Sequence, residues 1–445
     1  MKKKIANWGN YPVMESNEVE FRSINELKQI VSSSTTAIAR GNGRCYGDAS
    51  LGDVTISTLK FDKILFFDKS NGIFECQSGV TLDQILNVIV PEGWFLPVTP
   101  GTKFVTIGGV VASDVHGKNH HVDGAFSRHV IELKLMLSNG EIIVCDKNEN
   151  ADLFEATCGG MGLTGIIVSA KFQLKKIETS YINEKKIKVD DLEELLELFE
   201  ANKHYTYSVA WIDCLKKGKG FGRSVLMLGE HAKLNELSDA QKAKGALALP
   251  KKKSINFPIN LPSFVLNNFT VKLFNFLFYH KNFKKEKNSI IPYEPFFYPL
   301  DAILHWNRGY GKKGFVQYQF VIPFENKEGL ITILKKISDK GWGSFLAVLK
   351  TFGEQTDLIS FPIAGYTLAL DFPVRNGLFN FLDELDEIVL QYGGRIYLSK
   401  DARMKANTFW KGYSNSKKFT SVIEKYNPKT KFQSVQSSRL SITAR

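Results

Sequence analysis

Residues 100–124 read PGTKFVTIGGVVASDVHGKNHHVDG, a stretch dominated by glycine and other small residues. In Thr106-Ile107-Gly108-Gly109, the small side chains let backbone N–H groups approach a ligand as closely as a pyrophosphate requires. Ala112 and Ser113 keep the wall behind them thin. This stretch is therefore predicted to form one side of a phosphate-binding site. It is called the second glycine segment, because another glycine-rich loop precedes it in the chain.

The first glycine loop, residues 40–49, reads RGNGRCYGDA and carries three glycines within seven residues. Such spacing lets successive N–H groups turn inward and form an anion-binding nest. A dinucleotide fingerprint of the Rossmann type needs G-x-G-x-x-G between a strand and a helix. Here Gly43 is followed by Arg44-Cys45-Tyr46-Gly47, and no helical pattern opens. Nicotinamide binding of that type is not expected. A third cluster, CGGMGLTG at residues 158–165, leads into a strand-like run.

Composition and charge indicate the number of domains, the kind of ligand and the cellular compartment. With 445 residues, two or three domains are expected. Basic residues outnumber acidic ones by 12. This excess suggests binding to a phosphate-bearing ligand, to nucleic acid or to an anionic membrane; the alternative is that the charge serves only solubility. The five cysteines are widely spaced, as in a cytosolic protein with reduced thiols. The basic N-terminus lacks the apolar core of a signal peptide, and no run of apolar residues is long enough to span a membrane.

Periodicity outlines two regions of the chain. Before residue 178, capping boxes at Ser23 and at Thr81 open amphipathic helices, and Asn139-Gly140 predicts a hairpin. Beyond residue 178, strand-like and helical patterns alternate, beginning with an acidic amphipathic helix at residues 191–202. Further strands are predicted at 205–213 and 314–322, and further helices at 330–338 and 378–392.

Residues 251–287 crowd large apolar side chains between clusters of lysines. Basic and aromatic residues together are typical of a surface that contacts an anionic membrane or a long lipid. The alternative is a helix buried against the second domain, with its lysines in solvent. The apolar residues are Phe264, Leu266, Phe269, Leu273, Phe274, Phe276, Leu277 and Phe278.

Three histidines, His116, His120 and His121, lie within six residues of one another. Imidazoles at this spacing could bind zinc, but no cysteine accompanies them and the nearby Asp114 sits among glycines. No metal site is expected.

Three motifs together carry a family resemblance: GNGRCYGD, PGTxxxTIGGxxASDxHGKNHH and GGMGLTGI. They resemble the FAD-binding domain of the vanillyl-alcohol-oxidase (PCMH-type) superfamily. The resemblance implies an α+β fold in which a two-subdomain FAD-binding domain is joined to a second α+β domain, built on an antiparallel sheet, that binds substrate. Residues 1–178 are expected to form the FAD-binding domain, 179–394 the substrate domain, and 395–445 a return to the FAD-binding domain.

Four segments of the chain resemble one family within this superfamily, the oxidase subunits of decaprenylphosphoryl-ribose 2′-epimerases. They are HGKNHH, YTYSVAW at residues 205–211, QYQF at 317–320 and GRIYLSKD at 394–401. The resemblance implies FAD-dependent oxidation of the C2 hydroxyl of a polyprenylphosphoryl-ribose to the 2-keto sugar. This would be the first half of epimerisation to the arabinose donor for cell-envelope arabinan.

The same resemblance implies an NAD(P)H-dependent short-chain reductase as partner. The missing signal peptide and the scattered cysteines predict a cytoplasmic location, and the lysine-bounded aromatic segment predicts contact with the membrane surface, peripheral on the inner face of the cell membrane. One alternative keeps the fold but acts on a soluble sugar alcohol, aldonolactone or 2-hydroxy acid. A basic nucleic-acid-binding protein is a further alternative, but no nucleic-acid-binding motif supports it.

The resemblance also assigns residues. Lys400 is the implied catalytic residue near the reacting hydroxyl, with Tyr46 and His116 as further candidates. Arg44 stands where many relatives carry a flavin-linking histidine, and residues 97–124 contain no cysteine, so a non-covalent FAD is expected; a Cys45–flavin bond is the alternative. Implied substrate-binding residues are Lys118, Trp211, Gln319, Lys350, Thr367, Ala369 and Lys400. Implied cofactor-binding residues are Arg40, Gly41, Asn42, Gly43, Arg44, Cys45, Tyr46, Gly47, Asp48, Ala49, Gly101, Thr106, Ile107, Gly108, Gly109, Ser113, Asp114, His116, Gly117, Asn119, Gly165, Ile167 and Tyr397.

Two positions depart from the pattern of the resembled family. Ala369 stands where actinobacterial relatives have a cysteine, which is not needed for hydride transfer, so a thiol-directed inhibitor is expected to fail. Thr367 replaces an expected polar amide, which leaves the detail of substrate binding open.

Overall fold

A computed structural model of the chain describes residues 2–249, 254–262, 265–355 and 358–443. Its first unit is a small sheet in the order β1-β2-β4-β3, with β2, β4 and β3 parallel to one another. The helix of this unit begins as predicted, because the Ser23 hydroxyl accepts a hydrogen bond from the Glu26 N–H, and it buries Leu27 and Val31. The elements are β1 (Lys3–Ala6), β2 (Val13–Glu20), α1 (Ile24–Ser33), β3 (Ile38–Arg40) and β4 (Val54–Ser57).

The second unit is a five-stranded antiparallel sheet in the order β5-β6-β10-β8-β9. The predicted hairpin at Asn139-Gly140 joins β8 to β9, with Gly140 at φ +83° in the left-handed region that glycine favours. The elements are β5 (Ile64–Asp68), β6 (Ile73–Gln77), α2 (Leu82–Ile89), β7 (Trp94–Phe95), α3 (Ile107–Ala112), α4 (His120–Asp123), β8 (Val130–Met136), β9 (Ile142–Cys145), α5 (Ala151–Thr157), β10 (Ile166–Gln173) and β11 (Lys175–Lys176).

The chain then builds an eight-stranded antiparallel sheet in the order β16-β12-β14-β13-β19-β20-β18-β21. This confirms the expected α+β class with an antiparallel sheet in the second half, while the residue boundaries of the domains stay a prediction. The elements are β12 (Tyr181–Val189), α6 (Leu192–Ala201), β13 (Tyr207–Ile212), β14 (Ser224–His231), α7 (Asp239–Ala243), β15 (Ile255–Asn256), α8 (Asn268–Lys281), β16 (Glu286–Pro292), α9 (Tyr293–Phe297), β17 (Ile303–Leu304), β18 (Phe315–Pro323), α10 (Glu328–Lys340), β19 (Ala347–Phe352), β20 (Gly365–Pro373), α11 (Leu378–Gln391) and β21 (Arg395–Ile396).

One face of this large sheet holds the main apolar core. Phe320, Leu368 and Leu349 point from β18, β20 and β19 toward the helices and are fully buried. They pack with Ile333 of α10 and Leu385 of α11. Since burying one such side chain contributes about 1.5–3 kcal/mol, this face fixes the sheet firmly and leaves the opposite face available for polar residues.

The C-terminal helices α12 (Ala406–Gly412), α13 (Ser416–Tyr426) and α14 (Val435–Arg439) return to the first unit. Beside the first glycine loop, the Ala37 N–H donates to the Lys431 carbonyl at 2.8 Å, and the Gln433 N–H donates to the Ala37 carbonyl at 3.0 Å. The buried Asn427 amide donates to the carbonyls of Leu163 and Phe432. Residues separated by nearly the whole chain therefore complete one core.

Helix α8 carries most of the aromatic segment that the sequence singled out. One stripe, Val271, Asn275 and Tyr279, is buried against the large sheet. Much of the remaining apolar surface is exposed, with Phe269 73% and Leu277 58% accessible. Burial therefore explains only one stripe of this helix. The lysines at 251–253 and Phe264 lie outside the described residues. Across the described residues, we find no helix with the length and apolar character that crossing a membrane requires.

Candidate active site

A cavity of about 310 Å³ lies between the two glycine-rich segments and the large sheet. It brings together residues from distant parts of the sequence, including both glycine-rich segments, β18, β19, β20 and the turn after β21. The residues named from the sequence that line it are Gly41, Asn42, Gly43, Arg44, Cys45, Tyr46, Ala49, Gly101, Thr106, Gly108, Gly109, Ser113, His116, Gly165, Ile167, Gln319, Lys350, Ala369, Tyr397 and Lys400.

The two glycine-rich segments contact each other directly. The Asn42 amide donates to the Phe104 carbonyl at 2.8 Å. A Cβ on Gly41 would lie 2.0 Å from the Thr106 hydroxyl oxygen, so only glycine allows this approach. A Cβ on Gly101 would meet no atom within 4 Å and would extend into open space. Glycine thus serves two purposes here, close packing between the segments and an unobstructed wall.

The polar face of the large sheet follows from strand alternation. Residues paired across antiparallel strands share a face, and alternate residues along each strand do the same. Gln319 of β18 pairs with Ala369 of β20, which pairs with Val348 of β19. Lys350, two residues beyond Val348, therefore points to the same face, toward the cavity that all four residues line.

His116 connects the second glycine segment to this face. The Gln319 amide lies 3.1 Å from His116 Nε2 and 3.2 Å from the Thr367 hydroxyl. Burial and the nearby Lys350 lower the pKa of His116 well below its usual value, so the ring is neutral and accepts the amide hydrogen at Nε2. The proton then lies on Nδ1, which is buried without a protein partner. A donor is thus left available to a ligand.

Lys400 lines the same cavity. Its Nζ is 3.8 Å from the centre of the Tyr46 ring. Burial lowers the pKa of Lys400 to about 7, with Asp371 opposing the change and Lys350 adding to it. Burial also lowers the pKa of Lys350 to about 8. Two amines that are close to losing their protons at neutral pH therefore face one cavity, as acid–base chemistry requires.

A buried carboxyl lies behind Lys400. Asp371 accepts hydrogen bonds from the Gln317 amide at 2.6 Å and from the Tyr310 hydroxyl at 3.2 Å. Burial raises the pKa of Asp371 to about 7, and Lys400 counteracts that rise. Burial raises the pKa of Tyr46 well above its usual value, so this phenol keeps its proton. Lys400 lines the cavity and Asp371 does not, so of these groups Lys400 is the one placed to accept a proton from a ligand there.

Several residues expected to bind the cofactor lie outside the cavity lining and support its walls. They are Arg40, Gly47, Asp48, Ile107, Asp114, Gly117 and Asn119. Arg40 donates to the Ala6 carbonyl, and Asp48 forms an ion pair with Arg439. Asp114 accepts a hydrogen bond from the Gln355 amide at 2.7 Å. Ile107 is fully buried in the core.

Three residues expected to bind substrate also lie outside the lining. Lys118 donates to the Phe296 carbonyl, and its Nζ is 4.2 Å from the Phe296 ring centre. Trp211 is buried against Phe278, with ring centres 4.6 Å apart. Thr367 contacts the lining residue Gln319 through its hydroxyl and pairs with the lining residue Lys350 across the sheet.

The structure adds lining residues that had not been predicted from the sequence to belong to the site. Ser78, Gln317, Asp301 and Trp306 come from different elements and converge only after folding. Gln317 could have been found from the sequence, because it lies two positions before Gln319 on a predicted strand and so faces the same way. The full set comprises Trp8, Ala39, Ser50, Thr58, Ser78, Pro100, Thr102, Val105, Ala112, Val115, Met161, Gly162, Leu300, Asp301, Trp306, Gln317, Leu346, Val348 and Ser399.

The three clustered histidines do not converge. His120 Nε2 lies 2.8 Å from the Gln355 amide oxygen, and His121 Nε2 lies 2.9 Å from the Tyr205 carbonyl. Among the described residues, no group of three or more histidine, cysteine or acidic side chains is arranged to hold a metal ion.

The cavity fits the flavin dinucleotide that the sequence motifs imply. Ser78 Oγ and His116 Nδ1 both line it and are buried without protein partners, so each can bind a ligand. Open glycine backbone at Gly101 and Gly109 leaves room for a phosphate-bearing chain. The FAD binding domain family model matches residues 18–146, which include both glycine-rich segments. The fold and the site define an FAD-dependent oxidoreductase.

Comparison with known proteins narrows the class. The chain is 35% identical, over 99% of its length and 98% of the relative's, to decaprenylphosphoryl-beta-D-ribose oxidase of Mycolicibacterium smegmatis. It is 30% identical to an uncharacterized protein of Streptomyces coelicolor, over 82% of this chain and all of that one. The solved structure of BBE-like 1 from Physcomitrella patens matches with a TM-score of 0.66 at 14% identity, covering 94% of this chain and 89% of that one, which confirms the fold. The chain belongs to the decaprenylphosphoryl-beta-D-ribose oxidase family.

Proposed function

We propose that this protein oxidises the C2 hydroxyl of a polyprenylphosphoryl-ribose to the 2-keto sugar, using FAD. The observation that carries the proposal is the 35% identity to decaprenylphosphoryl-beta-D-ribose oxidase over 99% of the chain. The polar face bearing Gln319 and Lys350 supports it, because a phosphorylated sugar needs hydrogen-bond donors and a cation close to the reacting centre.

Each residue of the site has a separate role in the proposed reaction. A bound flavin would supply the acceptor for the hydride that leaves C2. Lys400, in its neutral form, accepts the proton of the C2 hydroxyl as the C–H bond breaks. Lys350 and Gln319 orient the sugar phosphate, and neutral His116 holds the Gln319 amide in place. Tyr46 supports the Lys400 ammonium from below. Lys118, Trp211 and Thr367 support this arrangement from outside the cavity lining.

Anaerobic mixing with a polyprenylphosphoryl ribose tests the substrate directly. We expect the yellow flavin absorption to bleach with this lipid in the wild-type protein and to persist in Lys400→Ala. If the lipid causes no bleaching but a soluble polyol, aldonolactone or 2-hydroxy acid does, the substrate belongs to that soluble class and the proposal is wrong. Full turnover in a yellow Lys400→Ala protein would remove Lys400 from the reaction.

The flavin is proposed to be held without a covalent bond. Arg44 stacks on Trp8, with its guanidinium 3.9 Å from the ring centre, and cannot form the link that histidine forms in relatives. Cys45 lines the cavity, but burial raises the pKa of its thiol and disfavours the reactive thiolate. Acid precipitation should therefore release the yellow flavin into the supernatant. Flavin that stays in the protein pellet would contradict non-covalent binding.

The exposed face of α8 is proposed to contact the inner face of the cell membrane, which places the enzyme in the cytoplasm. Phe274 of this helix packs on Phe345, the residue before the cavity-lining Leu346, so the apolar surface adjoins the cavity. A long prenyl chain could then stay in the lipid while its sugar enters the site. The lysines at the end of α8 and just after it favour contact with anionic lipid headgroups.

Sedimentation with phosphatidylglycerol vesicles tests this contact. A triple Phe269→Ser, Phe276→Ser, Leu277→Ser variant should lose vesicle binding. The matched control replaces Ile64, Leu65 and Phe66 with serine, because these three side chains on β5 are also exposed and apolar. Equal loss in both variants, or no loss in the first, would remove α8 from the membrane contact.

An NAD(P)H-dependent short-chain reductase is the proposed partner. The 2-keto sugar keeps its lipid phosphate, and hydride delivery to the opposite face of C2 would yield the arabinose donor for cell-envelope arabinan. A coupled assay with such a reductase and NADPH should convert ribose lipid to arabinose lipid. Accumulation of keto sugar alone would exclude that reductase as the partner.

A further inference from the structure

The turn that carries Lys400 is attached to the first glycine loop at three successive points. The Tyr46 N–H donates to the Ser399 carbonyl at 3.0 Å. Gly47 packs so closely that a Cβ there would lie 1.8 Å from the Asp401 carbonyl oxygen. The third point is a charged bridge between Asp48 and Asp401.

Arg439, in the last turn of α14, forms this bridge. Its Nε and Nη2 donate to the two Asp48 carboxylate oxygens at 2.9 and 2.8 Å. The same Nη2 donates to Asp401 at 2.8 Å, and Nη1 donates to the Met404 carbonyl. Asp401 also caps its own turn by accepting from the N–H groups of Arg403 and Met404. One guanidinium therefore joins the cofactor loop to the Lys400 turn.

The charge of Arg439 is what lets Asp48 and Asp401 lie close together. Asp48 and Asp401 are buried, with side chains 2% and 3% exposed, and both accept from one nitrogen of Arg439. Without Arg439, two facing carboxylates would repel each other and separate the turn from the loop. Arg403 forms its ion pairs with Asp383 and Asp386 of α11, so its charge is directed to those carboxylates.

We infer that Arg439 is a positioning residue of the reaction, which holds the Lys400 turn on the first glycine loop and so keeps the Lys400 amine above Tyr46. The inference rests on the proposed role of Lys400. Its Nζ lies 3.8 Å from the Tyr46 ring centre because both residues belong to the bridged segments. A shift of the turn by about 1 Å would slow proton transfer on the order of a hundredfold.

The test compares flavin reduction at saturating substrate in FAD-loaded variants. Arg439→Gln should slow reduction on the order of a hundredfold, with little change in KM. Arg439→Lys should reduce the flavin at a rate between those of the wild type and Arg439→Gln, because lysine keeps the charge but not the forked geometry. Asp48→Asn in the Arg439→Gln background removes one facing carboxylate and should restore much of the rate. Lys418→Gln, which breaks an exposed ion pair of α13 with Glu155, is the matched control with an unchanged rate.

A measurement without substrate separates this inference from the proposed function. Trace acetylation of Lys400, followed by peptide mass spectrometry, reports how accessible and how reactive its amine is. We expect a several-fold change in labelling in Arg439→Gln and a return toward wild type in the double variant. If Lys400→Ala keeps turnover, the proposed base fails while the labelling still measures positioning. Wild-type reduction and wild-type labelling in flavin-loaded Arg439→Gln, or a double variant no faster than the single one, would overturn the inference.

Discussion

Replacing Lys400 with methionine exchanges a partly buried amine for an apolar side chain of similar length. Burial lowers the pKa of Lys400 from 10.5 to about 7. A tenfold change in proton affinity is worth about 1.4 kcal/mol, so holding this amine costs the folded protein about 4 kcal/mol at pH 7. Because the unfolded chain binds the proton more tightly, the cost is largest below pH 7 and disappears as the pH approaches 10.5.

Lys400→Met should therefore raise the free energy of unfolding of the FAD-free protein near neutral pH while abolishing flavin reduction. The gain should be smaller than about 4 kcal/mol, because Asp371 loses a nearby cation. Urea unfolding at several pH values measures it, and the gain should vanish near pH 10. Lys203→Met is the control, since the Lys203 side chain is 70% exposed. An unchanged or pH-independent stability in Lys400→Met would refute the reasoning.

Three further outcomes are expected. The rate of flavin reduction should rise with pH through about 7 and then level off, as neutral Lys400 accumulates; a flat profile in stopped-flow measurements would exclude this amine as base. Gly41→Ala forces a Cβ to within 2.0 Å of the Thr106 hydroxyl, and overpacking of about 1–3 kcal/mol should weaken FAD binding about tenfold to a hundredfold by fluorescence titration. Gly309→Ala is the control, because its Cβ meets nothing within 4 Å, and it should leave FAD binding unchanged. Ala369→Cys should gain covalent labelling by a cavity-directed electrophile, seen as added intact mass; equal labelling of wild type would show that another thiol reacts.

Local signals account for the parts of the fold that the sequence predicted well. The helix at Ser23, the hairpin at Asn139-Gly140 and the amphipathic helix capped by Asp191 depend on residues only a few positions apart. The alternation of β18 likewise placed Gln319 on a face opposite to the core residue Phe320. Such features arise from backbone geometry that a short window contains.

Long-range convergence accounts for what the sequence did not predict. Ser78 and Trp306 line the cavity although neither belongs to a glycine-rich motif. Lys118 lies in such a motif but points toward Phe296, because the chain turns away from the cavity after His116. The ion pair of Asp48 with Arg439 joins residues 391 positions apart, a distance no periodicity reports.

The bridge between Ala37 and the strand-like segment around Phe432 bears on how the protein is made. A nascent chain exposes its N-terminal sheet long before residues 427–443 have been synthesised, so the edge beside Ala37 has no partner during most of translation. Chaperones that shield apolar edges would have their longest access there. Truncation before residue 427 should leave a polypeptide that aggregates and takes up no flavin, even though both glycine-rich segments are present.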